Sequence, residues 1–461
     1  MKAIQDPRHA LTAGLAAIRL QYQVPDGFPT EVLAAAAEAA RRAPNAHRDR
    51  TSEAFVTLDP ATSTDLDQAF AIEAAGDDLI LYYAIADVSW FVDDGGVIDV
   101  EAWRRGTTLY LPDGKAGLYP PALSEAAASL LPDGPRPAVV FAVRIDPAGK
   151  ASLDSAERAL IRSRAKLAYD AVNEADLPAG FAELSRRIVS AEAARGASRV
   201  DPPEQEVAAA GEGCYTLSFR PRFMSESRNA ALSLAANLAI ADALLAAHAG
   251  LFRVMAEPDD LAVGRLRQTA KALHLDWPAT TSLKEYERAL DPADHAEAAM
   301  MLAVRRAGEG ASYQPYNPGE IPWHSAMAAT YVHATAPLRR LADRYVVMAA
   351  LAVANGQPVS DDLRAAFARL PKIMARADAQ SAAIERAVID LAEAVTLQGR
   401  EGEAFDAVVT DEDERGARIQ LEAEPIVARV VAHAVEPGTR LRVRLAAADP
   451  AARTLTFERL T

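Results

Sequence analysis

Asp59, Asp65 and Asp67 stand close together in the segment Thr57-Leu58-Asp59-Pro60-Ala61-Thr62-Ser63-Thr64-Asp65-Leu66-Asp67-Gln68, with no histidine or cysteine among them. Carboxylate oxygens without nitrogen or sulfur neighbours are the donors a hard cation such as magnesium takes, together with water and substrate phosphates. Beside a phosphodiester, such a cation activates water and stabilises a departing oxygen. The same residues also suit a solvated turn whose Asp, Ser and Thr side chains cap backbone amides. Spacing alone leaves both readings open.

The elements that must carry these residues are legible nearby. Glu53 to Leu58 is an apolar, β-rich run, so Asp59 falls at a strand end, where a loop can turn side chains into a cleft. Asp65 and Asp67 share a face if their segment is extended. Leu79 to Val88 is a near-continuous apolar run and reads as a central strand, and Val139 to Ile145 is a further strand closed by the turn Asp146-Pro147-Ala148-Gly149. After Lys166 the chain reads as mostly helical, ending in a long amphipathic segment from Leu370 to about Leu397. Ala230 to Leu251 is rich in Ala and Leu but interrupted by Asn237, Asp242 and His248, which predicts a buried helix and not a membrane span.

Residues 1–50 read as two helices, His9 to Tyr22 and Thr30 to Arg42, with Val24-Pro25-Asp26-Gly27 as the turn. They suit a helix-turn-helix module or a docking appendage equally. Residues 51–399 form the main body. Over residues 400–461, short alternating strands separated by charged or Gly/Pro turns predict a small OB-type barrel. Basic grooves and aromatic platforms let such barrels hold single strands, but here acidic residues outnumber basic ones and aromatics are few, so a modest grip is expected.

A net charge of −15 over 461 residues excludes a protein that coats nucleic acid with a basic surface, although not one with a buried basic channel. Cys214 is the only cysteine, which excludes an intrachain disulfide and a cysteine-based zinc site. The residues from Met1 to Arg8 lack the apolar core of a secretion signal, and a cytoplasmic setting is expected.

Four further segments could join the aspartates. Tyr110 precedes a Pro turn in Thr107-Thr108-Leu109-Tyr110-Leu111-Pro112, where its ring either stacks on a base or packs in a core. Arg162, Arg164 and Lys166 gather cations that either bind phosphates or solvate a helix face. Arg339 and Arg340 follow Pro337 at a predicted helix N-terminus, where planar guanidiniums and free amides suit phosphate oxygens, with pairing to Asp343 as the alternative. Glu385, in the long helix, is either the ion-pair partner of a nearby Arg or part of a site.

In order, Thr57-Leu58-Asp59 with Asp65-Leu66-Asp67, Ala84-Ile85-Ala86-Asp87-Val88, Thr108-Leu109-Tyr110-Leu111-Pro112 with Leu123-Ser124, Ser163-Arg164-Ala165-Lys166-Leu167-Ala168-Tyr169, Ala236-Asn237 and Thr335-Ala336-Pro337-Leu338-Arg339-Arg340 resemble the RNB domain of the ribonuclease II and ribonuclease R family. The resemblance covers roughly Ala54 to Gln398. It implies an α+β fold in which an RNB catalytic domain of mixed sheet and packed helices surrounds an RNA channel, with the C-terminal OB barrel and the N-terminal helices as additions. It further implies processive, metal-dependent 3′-to-5′ hydrolysis of single-stranded RNA to nucleoside 5′-monophosphates by a chain expected to act as a monomer, away from membranes. Asp59, Asp65 and Asp67 would hold magnesium, or manganese, with Asp67 tied most closely to chemistry. Arg339 would neutralise the scissile phosphate and Glu385 would stand beside the site as a third catalytic residue. Tyr110 would clamp the 3′-terminal nucleotide, while Arg162, Arg164, Lys166 and Arg340 would bind backbone phosphates.

The sequence departs from the family pattern at Gln68, where a second adjacent aspartate is usual. A glutamine offers a neutral carbonyl oxygen, so it keeps a ligand position with less charge compensation. The alternative function is therefore an RNB-fold RNA-binding protein whose catalysis is weakened or lost. Ala336 and Leu341 also depart from the usual serine and tyrosine, and only about fifty residues precede the catalytic domain where two cold-shock-type barrels are usual.

Overall fold

The structure, a computed structural model, describes residues 2–4, 9–198, 204–211, 214–220, 222–291, 294–308, 310–413, 416–432, 435–436 and 438–460. Met1 and the segment Gln5 to Arg8, part of the N-terminal stretch considered above, lie outside the described residues.

Apolar β-rich runs form the main sheet. Its strands are β2 (Arg48–Asp49), β3 (Phe55–Asp59), β4 (Gln68–Ala75), β5 (Asp78–Ala86), β8 (Arg136–Ile145), β9 (Ala151–Ile161) and β10 (Ser163–Ala168), in the order β10-β3-β4-β5-β8-β9-β2. The contacts β3–β10 and β2–β9 are parallel and the others antiparallel, so the sheet is mixed. β5 is buried along most of its length, as its unbroken apolar run requires. A short strand β1 (Lys2–Ala3) joins a hairpin of β11 (Gln205–Gly211) and β12 (Cys214–Phe219), while β6 (Leu109–Leu111) pairs with β7 (Gly114–Ala116). Two small pairs, β13 (Leu251–Val254) with β14 (Ser312–Pro315) and β15 (Trp323–His324) with β16 (Ala329–Thr330), complete the main body.

The helices are α1 (Ala10–Gln21), α2 (Thr30–Ala39), α3 (Val88–Phe91), α4 (Val97–Arg105), α5 (Phe181–Ala194), α6 (Met224–Ala246), α7 (Asp260–Ala272), α8 (Leu283–Ala289), α9 (His295–Ala307), α10 (Leu341–Ala354) and α11 (Asp361–Leu397). α6 is long and apolar enough to cross a membrane by length and composition, and 61% of its most apolar window is buried inside the fold. It packs on β8, β9, α5 and α10, which accounts for an apolar surface on more than one face.

The two N-terminal helices form close to their predicted bounds but serve different cores. α1 lies against α11, with Leu11, Leu15 and Ile18 sharing a core with the C-terminal barrel, whereas Val32 and Ala36 of α2 join the core under the main sheet. Both helices therefore pack on the rest of the fold. At Gly14 the approach is so close that a Cβ would stand 2.5 Å from the Leu391 side chain. The basic stretch after α2 is paired internally, Arg42 with Asp93, His47 with Asp87 and Arg50 with Glu53.

β17 (Ala404–Asp413), β18 (Gly416–Leu421), β19 (Val427–Val430), β20 (Arg440–Asp449) and β21 (Thr454–Leu460) close into a barrel in the order β17-β18-β19-β21-β20, the predicted OB-like architecture. Its inner residues Val409, Ile419 and Val443 belong to the same core as Ile384 and Leu391 of α11, so barrel and main body share buried surface.

Two local expectations change. The region after Lys166 contains the β11–β12 hairpin; its alanine-rich first strand imitates a helix former, and pairing with the β-rich Tyr215 to Phe219 decides the outcome. Arg164 and Lys166 lie on β10 and not on a helix, Arg162 stands between β9 and β10, and a register shift between Ser163 and Lys166 in the pairing with β3 interrupts the alternation along this cationic stretch.

Candidate active site

Asp59 ends β3, and the loop after it is pinned from beneath. The Ser129 hydroxyl donates to the Thr64 carbonyl at 2.8 Å and accepts from the Leu66 amide at 2.8 Å, while the Leu130 amide donates to the Leu66 carbonyl at 3.0 Å. Leu66 is thereby fully buried, which turns Asp65 and Asp67 on either side of it to the opposite face.

Asp67 is 3% exposed, and its Oδ1 accepts the Leu338 amide at 2.7 Å. Its Oδ2 lies 3.4 Å from Nε of Arg339. Burial pushes the Asp67 carboxyl up to about 8, against the opposing pull of Arg339 and the Leu338 amide. Burial likewise raises Asp59 to about 6, with Arg339 and Lys166 opposing and Asp65 adding to the rise. Oδ2 of Asp59 is shielded from solvent and has no hydrogen-bond partner. Both carboxyls are thus held in surroundings that favour an added positive charge.

The arginine turn is built by Asp343. Its Oδ2 accepts the Ala336 amide at 2.8 Å, and its two oxygens take Nε and Nη2 of Arg340 at 3.0 and 2.7 Å. Arg340 therefore adopts the Asp343-pairing alternative, in a largely buried bridge that shapes the turn presenting Arg339. Arg339 itself remains substantially exposed, and its carbonyl accepts the Thr108 amide at 3.0 Å and the Thr107 hydroxyl at 2.8 Å. Those bonds tie the arginine turn to the segment leading into Tyr110. Gly106 makes the junction possible: it ends α4 with φ +77, and a Cβ there would stand 2.9 Å from Cβ of Ala377 on α11.

On β6 the alternation decides where Tyr110 points. Leu109 and Leu111 are buried in the barrel-side core, and Tyr110 between them is 53% exposed, with its hydroxyl donating to Oδ2 of Asp65 at 3.2 Å. Its packed-core alternative is thereby set aside. Lys115, opposite Tyr110 in the β6–β7 pair, reaches the same aspartate: Nζ donates to Asp65 Oδ1 at 2.8 Å and to the Thr64 hydroxyl at 3.2 Å, and lies 3.0 Å from Oε1 of Glu125. Lys115 escaped the motif reading. The turn Pro112-Asp113-Gly114, which folds Lys115 back beside Tyr110, was the available signal.

Gln68 occupies the first position of β4 and is 9% exposed. Its Oε1 accepts the Tyr83 hydroxyl, and also the Ser233 hydroxyl at 3.1 Å, while those two hydroxyls lie 2.6 Å apart. The oxygen expected to replace an aspartate ligand is thus engaged between β5 and α6. α6 supports the site elsewhere: Asn229 donates to the Leu58 carbonyl at 3.2 Å and to the Tyr169 hydroxyl at 3.0 Å, and Asn237 accepts the Ala334 amide at 2.9 Å.

Lys166 Nζ donates to the Ala61 carbonyl at 2.8 Å and opposes the rise of the Asp59 pKa. Arg164 donates to the Ser52 carbonyl at 2.7 Å, and exposed Arg162 precedes β10, farther from Asp59 along the chain's pairing with β3. Glu385 stands on α11 beside buried Ile384 and Val388, and its carboxyl is raised by burial and by neighbouring Glu204. Among the described residues no hydrogen bond joins it to the aspartates; it faces Thr62 and Tyr110 across a cleft of about 550 Å³. A second cleft of about 470 Å³ adjoins it, lined by Ala61, Tyr169, Phe223 and Glu385.

Among the described residues no three His, Cys, Asp or Glu side chains are grouped closely enough to enclose an ion. Magnesium does not need such a cage, because it is held by one or two carboxylates together with waters and substrate phosphates. The all-oxygen donors and the unpartnered Asp59 oxygen fit that mode.

The chain matches the RNB domain over residues 47–354. It belongs to the RNB family. Residues 403–460 match the RNase II-type exonuclease C-terminal S1 domain, which coincides with the closed barrel. The Ribonuclease R of Aquifex aeolicus is 27% identical over 432 residues, covering 87% of this chain and 60% of that protein. The chain thus spans less than two thirds of that relative's length. Mycoplasma genitalium RNase R, solved in complex with ribose-methylated single-stranded RNA, matches with a TM-score of 0.87 at 20% identity, covering all of this chain and 79% of that one. Yeast Ssd1, described as a pseudonuclease, matches at 0.67 and 16% identity, covering 95% and 57% of the two chains. At these identities the two structures establish a common RNB fold.

Proposed function

We propose that this chain is a divalent-cation-dependent exoribonuclease that hydrolyses single-stranded RNA processively from the 3′ end and releases nucleoside 5′-monophosphates. The observation that carries this reading is the convergence of the buried carboxyls of Asp59 and Asp67 with Arg339, which is far away in sequence. Membership of the RNB family and relatives named Ribonuclease R support it.

Asp59 and Asp67, with Asp65 beside them, would hold the cation, magnesium or manganese, which would supply Lewis-acid chemistry for activating water and offsetting charge on the leaving 3′ oxygen. Arg339, displayed beside Asp67, binds the scissile phosphate as charge builds on its oxygens. Tyr110 offers a ring to the terminal base while its hydroxyl keeps Asp65 oriented. Lys166, Arg164 and Arg162 hold the backbone without reading sequence, and Glu385 lines the cleft beside the reacting end. We place the chain in the cytoplasm as a monomer without a membrane partner.

The competing reading, an RNB-fold RNA-binding protein without efficient hydrolysis, draws on the engagement of the Gln68 oxygen by Tyr83 and Ser233. Ssd1 illustrates that the fold occurs in a protein described as a pseudonuclease. Incubation of 5′-labelled single-stranded RNA with magnesium separates the two. The enzyme shortens RNA from its 3′ end, and Asp67→Asn abolishes the shortening while binding persists; the binding protein retains RNA without shortening it.

A further inference from the structure

We propose that Arg19 of α1 is a positioning residue for the RNA 3′ end: by holding the turn Pro112-Asp113-Gly114 it keeps the β6–β7 ribbon where Tyr110 can meet the terminal base. This deepens the function proposed above and rests on its assignment of Tyr110. It also gives the first N-terminal helix a task at the site.

The ribbon cannot keep its place unaided. β6 and β7 are three residues each and pair only with one another, and an isolated two-stranded hairpin is at best marginally stable in water. One face, with Leu109, Leu111 and Ala116, is buried in the core that also takes Leu11, Leu15 and Ile18 of α1. The other carries Tyr110 and, opposite it, Lys115. At the base of the ribbon the Thr107 hydroxyl and the Thr108 amide donate to the Arg339 carbonyl, and on the β7 side Lys115 Nζ donates to Asp65 Oδ1. The tip is left to Arg19. Its Nε and Nη2 donate to Oδ2 and Oδ1 of Asp113 at 2.9 and 2.8 Å, and Nη2 donates also to the Gly114 carbonyl at 3.2 Å.

Apolar burial is non-directional, so it holds the ribbon down without fixing how it is turned. A fork of two parallel N–H···O bonds fixes orientation as well as distance, which a single exposed ion pair does not. The Arg19 and Asp113 side chains are 20% and 29% exposed, so the fork is partly shielded from water. The helix that bears it is itself anchored. Gln380 of α11 donates to the Tyr22 carbonyl at 2.8 Å, Arg453 beside the barrel strand β21 donates to Oε1 of Gln21, and Gly14 lies against Leu391. Arg19 thus acts through Tyr110, and its loss lets the ring wander, so the cost falls on the grip on the terminal nucleotide.

The test uses the full chain in EDTA, which withholds the cation, with 5′-labelled single-stranded RNA carrying 2-aminopurine at its 3′ end. Anisotropy reads affinity, and quenching of the 2-aminopurine reads its stacking on Tyr110. Arg19→Met should bind roughly 3- to 10-fold more weakly, the scale of leaving one contact side chain to be ordered on binding, and should quench less. Arg19→Lys, which keeps the charge without the fork, should fall between. In a Tyr110→Ala background Arg19→Met should add no further loss, whereas a general loosening of the fold would add its loss there too. Native affinity and quenching in folded Arg19→Met, or a loss as large without the ring as with it, would overturn the inference. If Arg19→Met does not fold, Asp113→Asn decides from the ribbon side: weaker binding and quenching support the inference, and native values overturn it. Native quenching in Tyr110→Ala would instead remove the Tyr110 assignment on which the inference rests, so the two failures appear in different variants.

Discussion

Gln68→Asp restores the carboxylate usual in the family, and the structure predicts that it harms this protein. The native amide oxygen accepts from Tyr83, which is fully buried, and from Ser233. With the shorter side chain these hydroxyls can still bond to each other across 2.6 Å, so one donor is stranded and not two. A stranded buried donor costs about 1–3 kcal/mol. The new carboxylate adds a desolvation cost at a position only 9% exposed, next to an Asp67 whose carboxyl already stands at about 8. Together the expected loss is roughly 2–5 kcal/mol. Urea unfolding should show this loss, and hydrolysis of labelled RNA at saturating magnesium should fall. Gln68→Glu, which keeps the chain length and an acceptor for both hydroxyls, should lose less. A Gln68→Asp protein as stable as the native chain that cleaves RNA several-fold faster would refute the brace assigned to Gln68.

Arg339→Ala should lower kcat by about 10²–10³-fold, the usual cost of losing a group that stabilises charge in the transition state, and Arg339→Lys should recover only part, since it lacks the planar fork. Tyr110→Ala should raise KM for RNA by roughly 5- to 150-fold, the scale of one lost base–aromatic stack of about 1–3 kcal/mol, while Tyr110→Phe should change it little; equal effects of the two would assign the role to the hydroxyl. Glu393, at the junction of α11 and β19, is pushed up by burial to about 8 although the Val427 amide and Gln205 donate to it. Its folded pKa lies above its ordinary value, so folding retains a proton that the unfolded chain releases, and stability falls as pH climbs from about 4.5 to 8. Glu393→Gln should flatten that decline, by about 5 kcal/mol at most, and thermal midpoints between pH 5 and 9 that fall in parallel for both proteins would contradict it.

Much of the site was legible because strand ends and turns leave local marks. Asp59 after a β-rich run, Asp65 and Asp67 around an apolar Leu66, and Tyr110 between two leucines all follow from alternation. The choice between Arg339 and Arg340 was not legible, because it depends on Asp343 accepting the Ala336 amide and thereby fixing which arginine the turn turns inward. Nor could a motif show that the Gln68 oxygen is met by Tyr83 and by Ser233 of α6, which lies far away in sequence. The stretch from Arg162 to Lys166 was ambiguous between helix and strand until parallel pairing of β10 with β3 decided it. Likewise, the division of the N-terminal helices between two cores is set by the close approach of Gly14 to Leu391, a tertiary fact.

The hydrolytic function is tested most directly by nucleoside 5′-monophosphate release from uniformly labelled single-stranded RNA with magnesium, comparing the native chain with Asp67→Asn. Release is expected from the native chain alone, with RNA bound by both. Bound RNA that stays intact on the native chain with either magnesium or manganese would contradict it.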